Sequence, residues 1–129
     1  MGARRSGQAD AAPNHAFYDA GAKRLIVKSS RSVKFVNPAE IEWVESQGNY
    51  VLLHTAREQL LVRGTLKGLQ GTLPPNTFVR IHRSAIVNVH HIRELDTTPQ
   101  QYVLTLDSGT RLKCSRSHAR QLRWLVNVG

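Results

Sequence analysis

The sequence has little cysteine, few aromatic residues, few acids and no long apolar run, and each shortage excludes something. Cys114 is the one cysteine in 129 residues. A single thiol forms no internal disulfide, so a disulfide-stapled secreted domain is excluded and a reducing, cytoplasmic compartment is expected. The longest unbroken apolar stretch is Tyr50 to Leu53, far short of the roughly 20 residues needed to cross a bilayer. No positively charged start leads into an apolar segment, so no secretory signal is read and no membrane partner is expected. Aromatic residues make up 6% of the chain, which leaves no evident platform for the base stacking that single-strand binders use.

Chemistry-bearing constellations are also scarce. Six histidines are present, and His82, His90 and His91 invite a metal reading. No His-Glu-x-x-His or Cys-x-x-Cys spacing accompanies them, so no metal site is expected. Ser84 stands two residues from His82, where strand side chains share a face, yet no acid nearby orients the imidazole as a hydrolase triad requires. Lys113 and Arg116 could make the Cys114 thiol somewhat acidic; a buried structural cysteine is the commoner case. No glycine-rich phosphate loop occurs. An enzyme, a cofactor and a small-molecule substrate are therefore not expected.

What is abundant is positive charge, and it comes in blocks. There are 18 Lys and Arg against 9 Asp and Glu, a formal net charge of +9. Residues 21–34 carry Lys23, Arg24, Lys28, Arg31 and Lys34 with no acid. Residues 63–93 carry Arg63, Lys67, Arg80, Arg83 and Arg93, and residues 108–129 carry Arg111, Lys113, Arg116, Arg120 and Arg123, again with no acid. Between them, Glu40, Glu42, Glu45 and Glu58, and then Glu94, Asp96 and Asp107, make two acidic stretches. Brought to one side, the three basic blocks would form a face able to follow a phosphate backbone. A solvated basic surface serving solubility is the plain alternative.

Residues 1–20, rich in Ala and Gly, read as a flexible leader or linker, and residues 21–129 as one domain. From Leu25 onward short β-type runs recur between Asn, Gly, Pro and Asp, which predicts a mainly β fold. Ile41 and Trp43 alternate with Glu40 and Glu42, Gln47-Gly48-Asn49 is turn material, and Tyr50 to Thr55 pairs with Leu60 to Arg63. Tyr102 to Leu106 and Arg111 to Cys114 flank Asp107-Ser108-Gly109-Thr110, a hairpin. Thr65 caps a short helix bearing Leu66, Leu69 and Leu73 on one face until Pro74-Pro75. A second helix begins at Ser115, with Ala119, Leu122 and Leu125/Val126 as its apolar stripe and Arg116, Arg120 and Arg123 on another face. Arg116 in its first turn opposes the helix dipole unless a phosphate binds there.

Phe78 to Asn88 is the most informative segment. Val79 and Ile81 alternate with Arg80 and His82, then His82-Arg83-Ser84 precedes the apolar run Ala85 to Val87. An exposed Arg on a stiff β edge suits bidentate contact with guanine O6 and N7.

Glu42-Trp43-Val44-Glu45-Ser46-Gln47-Gly48-Asn49-Tyr50-Val51, the Leu66 to Leu73 helix, Phe78 to Ser84 with Ile86-Val87-Asn88, and Gly109 with Cys114-Ser115-Arg116 together resemble the LytTR family of bacterial DNA-binding domains. The resemblance covers about residues 25–126. It implies small stacked antiparallel sheets with one or two short helices, whose loops and strand ends enter successive major grooves of double-stranded DNA at promoter repeats. It further implies the output domain of a bacterial transcription regulator, set behind a phospho-accepting receiver or another sensor, with a second copy on the adjacent repeat. No receiver precedes residue 20, so an isolated output domain or a stand-alone protein is expected. Ala85, where an aromatic is frequent, and Cys114, where an aliphatic is usual, depart from the family pattern.

Carried over, the family's base contacts fall on Asn49, on Arg83, and at or beside Ser117 with Arg116 next to it. Lys67, Arg80, His82, Lys113, Ser115 and Arg120 are the expected phosphate contacts. Asn49 could instead be a turn residue adopting a left-handed conformation after Gly48, and His82 an internal donor that fixes Arg83. Two other function classes stay open at this point: a basic β-module for RNA or single strands, and a protein-interaction or dimerisation module.

Overall fold

A computed structural model describes residues 14–126 of the chain. Its strands are β1 (His15–Asp19), β2 (Arg24–Lys28), β3 (Val33–Val36), β4 (Ile41–Gln47), β5 (Tyr50–Thr55), β6 (Gln59–Arg63), β7 (Phe78–His82), β8 (Ala85–Asn88), β9 (Ile92–Thr97), β10 (Tyr102–Leu106) and β11 (Arg111–Cys114). Helix α1 (Leu66–Gln70) follows β6, and a 3-10 segment, Arg116–Leu122, runs into helix α2 (Arg123–Val126). The strands form three antiparallel sheets: β1-β2-β3, a five-stranded β6-β5-β4-β8-β7, and β9-β10-β11.

The five-stranded sheet is the middle layer because its two faces bury different apolar sets. One face joins Val44, Val51, Leu53 and Val62 to Leu25, Val27 and Val36 of the first sheet and to Leu66, Leu69 and Leu73. The other face, at the β7–β8 side, packs Val79, Ile81, Ala85 and Val87 on Leu104, Leu106, Cys114 and Leu122. β7 and β8 therefore contribute to both cores, with Phe78 and Ile86 turned into the first. A strand covered on both faces needs a nearly continuous apolar run, which explains Ala85-Ile86-Val87.

Several sequence expectations are corrected. The leader read over residues 1–20 is a strand over His15–Asp19: Ala16 and Tyr18 pack on the first core while Phe17 faces outward. Residues 1–13 lie outside the described residues. Ile41 and Trp43 do not share a face, because the β4–β5 register shifts between them; Ile41 joins the first core and Trp43 the second. Helix α1 stops at Gln70, short of Leu73. Thr65 caps it as expected, accepting from the Gly68 amide at 3.0 Å, and Leu73 still reaches the core at 3% exposure. The segment after Ser115 begins as 3-10 rather than α; Ala119, Leu122 and Leu125 face the second core as the spacing predicts, and the Val126 side chain lies outside the described residues. The Asp107 to Thr110 hairpin forms as read, with Gly109 supplying φ 94°.

Candidate DNA interface

The two hairpin turns that bear Asn49 and Arg83 lie at one end of the middle sheet, and topology places them there. β4 runs toward Gly48 and β8 starts just after Ser84. The two strands are antiparallel neighbours, with Val44 opposite Ile86 and Glu45 opposite Ala85. The Ser46 amide donates to the Ser84 carbonyl at 2.9 Å, tying one turn to the other. β4 continues for two residues past Glu45, so at about 3.3 Å per residue the Gly48-Asn49 turn projects further than Arg83-Ser84.

Asn49 is exposed, and its backbone carbonyl accepts from the Gly64 amide at 2.9 Å. The positive φ of this turn, 63°, belongs to Gly48. Among the described residues Lys23 is the one non-glycine with positive φ, so Asn49 is not present for a left-handed backbone, and that alternative is corrected. Its side-chain amide makes no hydrogen bond among the described residues.

Arg83 is exposed, between the half-buried His82 and Ser84. The Arg80 guanidinium folds forward onto this turn: Nε donates to the His82 carbonyl and Nη2 to the Arg83 carbonyl, each at 2.7 Å. The Ser84 amide donates to His82 Nδ1 at 3.2 Å, and Ser84 Oγ lies 2.9 Å from the same nitrogen. Of the expected phosphate contacts, then, Arg80 and His82 are engaged inside the protein. The reason is local: a two-residue turn leaves carbonyls and amides at its corner that need partners. At Nδ1 His82 serves as an acceptor, not as the donor that the sequence left open.

The third element is tied to the same strand. The Ser115 amide donates to the Ile81 carbonyl at 2.8 Å, which sets the start of the 3-10 segment against the end of β7. Ser115 Oγ is 2.7 Å from His118 Nδ1, so it too is held within the fold. Arg116, Ser117 and Arg120 are exposed. Lys67 is exposed on α1, which starts just after the Gly64 bonded to Asn49. Lys113 is exposed on β11, an edge strand of the third sheet.

Sequence reading missed Arg63. It ends β6 opposite Tyr50, at the same end of the sheet, and is exposed. Its place at the head of an acid-free block, directly before the Gly64 turn, was the available signal.

The acids lie elsewhere or are paired. Glu40 accepts from Arg57 and Glu58 from Lys34, each at 2.8 Å. Glu42 accepts from the Ser108 amide and hydroxyl at 2.9 and 2.7 Å. All three sit where β4 begins and β5 ends, opposite to Gly48-Asn49. Glu45, nearer the turns, holds His54 Nε2 at 3.0 Å, and His54 stacks on Trp43 with centroids 4.2 Å apart. Of the three basic blocks, the second supplies Arg63 and Arg83 to this end of the sheet and the third Arg116 beside it. From the first block, Arg24 and Lys28 lie on the outer face of the β1-β2-β3 sheet, 4.2 Å over the Phe35 ring and 5.7 Å from that of Phe17, whereas Lys34 stands opposite the buried Val27 and pairs with Glu58.

A stack of small antiparallel sheets with a cationic, turn-built end defines a β-type nucleic-acid-binding domain. The model of the LytTr DNA-binding domain family matches residues 31–127, and the chain belongs to that family of DNA-binding domains, which is not an enzyme class. It is 31% identical over 106 residues to the sensory transduction protein LytT of Bacillus anthracis, covering 81% of this chain and 43% of that protein. It is 29% identical over 99 residues to the CO-responsive transcriptional regulator RcoM of Rhodospirillum rubrum, covering 75% and 42%. Among solved structures, a LytTr DNA-binding domain of a Bacillus cereus methyl-accepting/DNA response regulator superposes with TM-score 0.71 at 25% identity, covering 82% of this chain and 98% of that one. The chain thus spans less than half the length of these curated relatives. No helix among the described residues is long and apolar enough to cross a membrane.

Proposed function

We propose that the domain reads double-stranded DNA sequence-specifically through the major groove, as the output part of a cytoplasmic, signal-responsive bacterial transcription regulator. The observation that carries this is the gathering of Asn49, Arg83 and the Ser115 to Ser117 segment at one end of the middle sheet, with Glu40, Glu42 and Glu58 engaged at the opposite end and Glu45 bonded to His54. Asn suits adenine N6/N7 and Arg suits guanine O6/N7, while a two-stranded β-ribbon fits the major groove. Asn49, Arg83, Arg116 and Ser117 are the base readers; Lys67, Lys113 and Arg120, joined by Arg63, meet phosphates. Recognition at repeats, with a second copy on the adjacent repeat, extends this.

The test is selection of bound sites from random duplexes, followed by titration of the selected duplex against random duplex, single-stranded DNA and RNA. A preference of at least 10³-fold for the selected duplex is about what specific readers show; equal affinity for selected and random duplex overturns the proposal. One observation favours a second reading: Phe17 and Phe35, 44% and 57% exposed on one sheet face beside Arg24 and Lys28, offer rings to single-stranded bases. Tighter binding of single strands, abolished by Phe35→Ala, would establish that reading instead.

A further inference from the structure

We infer that Arg80 is a positioning residue for the reading turn, and not a phosphate contact. The inference rests on the proposed role of Arg83 as a base reader. The two carbonyls that Arg80 holds, those of His82 and Arg83, belong to the two peptide units on either side of the Arg83 Cα. Fixing both planes fixes the φ and ψ of Arg83, and with them the direction in which its side chain leaves the turn. The β7–β8 register shifts between Arg80 and His82, so the regular ladder is interrupted just before the turn and the guanidinium spans the interruption.

The geometry calls for arginine. The planar guanidinium presents parallel donors in one rigid fork, whereas a lysine ammonium is a point charge on a flexible stem. The neighbouring contacts leave the turn no other freedom: the Ser84 amide is on His82 Nδ1 and the Ser84 carbonyl holds Ser46 of β4. Arg83 is then presented in one orientation before DNA arrives. A bidentate contact demands this, because two parallel bonds tolerate little misdirection.

Arg80→Lys separates the two roles, since it keeps the charge and removes the fork. A positioning role predicts that Arg80→Lys leaves the salt dependence and the affinity for random duplex unchanged. It loses on the order of tenfold in affinity for the selected duplex, confined to the base pair that Arg83 reads. Arg80→Lys combined with Arg83→Ala then binds no worse than Arg83→Ala alone. Additive losses overturn the inference. So does an Arg80→Lys protein equal to wild type while Arg80→Ala weakens every duplex alike.

Amide hydrogen exchange in the DNA-free chain gives a readout independent of base reading. Faster exchange at Arg83 to Ala85 in Arg80→Lys, with the rest of β7 unchanged, supports the inference, and unchanged exchange overturns it. If Arg83→Ala leaves base preference intact, it is the role of Arg83 that fails, and the exchange result still decides whether Arg80 holds the turn. Arg80→Gln, with a shorter side chain and one amide group, serves as the second variant in both measurements and is expected to match Arg80→Lys in the turn; slow exchange there overturns the inference.

Discussion

Arg83 is exposed because the turn around it is satisfied by other groups: Arg80 holds its two flanking carbonyls and His82 accepts the next amide. Its own guanidinium makes no hydrogen bond among the described residues. Arg83→Ala is expected to lower binding to the selected duplex by about 1–3 kcal/mol and to flatten preference at one base pair, measured by titrating single-base-pair variants. Cys114 is the opposite case. Burial pushes its thiol from 9.0 up to about 11, which leaves little thiolate at neutral pH to act as a nucleophile. The native chain should therefore react slowly with a thiol reagent at pH 8, and quickly once urea unfolds it. A raised pKa in the folded state also has a fixed sign. The contribution of Cys114 to stability is whole below pH 9.0 and is lost as pH rises toward about 11. Urea midpoints of wild type and Cys114→Ala should accordingly converge or cross in that window.

At the scale of elements, Asn88 joins three pieces of chain. Fully buried at the end of β8, it donates to the Ile41 carbonyl at 2.9 Å and accepts from the His90 amide at 2.9 Å. It thereby fixes the start of β4 relative to the turn that leads into β9. Asn88→Leu leaves both groups without a partner and is expected to cost about 1–3 kcal/mol, read as a lowered urea midpoint with unchanged slope.

Much of this layer was legible in the sequence. The Tyr50 to Arg63 and Tyr102 to Cys114 hairpins follow from alternation and turn residues alone, and the Thr65 cap from one hydroxyl in the right place. Other features were hidden for physical reasons. β1 offers only Ala16 and Tyr18 to the core, too little apolar content to stand out from a linker. The Ile41/Trp43 register shift breaks the two-residue period that a pattern reading assumes. Which polar residues of His82-Arg83-Ser84 face solvent depended on hydrogen bonds within the turn, and spacing cannot report those. The bonds from Arg80 into this turn were likewise beyond a reading from charge.

For the whole molecule, charge is arranged more sharply than its sum implies. Arg63, Lys67, Arg83 and Arg116 lie toward the end that carries the Gly48-Asn49 and Arg83-Ser84 turns, and Glu40, Glu42 and Glu58 toward the other. Lys34, from the first basic block, is engaged with Glu58 at that far end. Neutralising an exposed cation that meets phosphate should weaken all duplexes alike and reduce the salt slope by about one. That outcome is expected for Lys67→Ala and Lys113→Ala, and not for Lys34→Ala, in titrations over a range of salt concentration. The blocks thus occupy different places in the fold, although they carry the same charge.

The most direct test of a reading end is a map of amide chemical shifts as the selected duplex is titrated into the labelled chain. The largest changes are expected at Gly48-Asn49, Gly64 to Lys67, Arg83-Ser84 and Ser115 to Ser117, with β1, β2 and β3 unaffected. Changes concentrated on Phe17, Ile26 and Phe35, with the two hairpin turns silent, would contradict it.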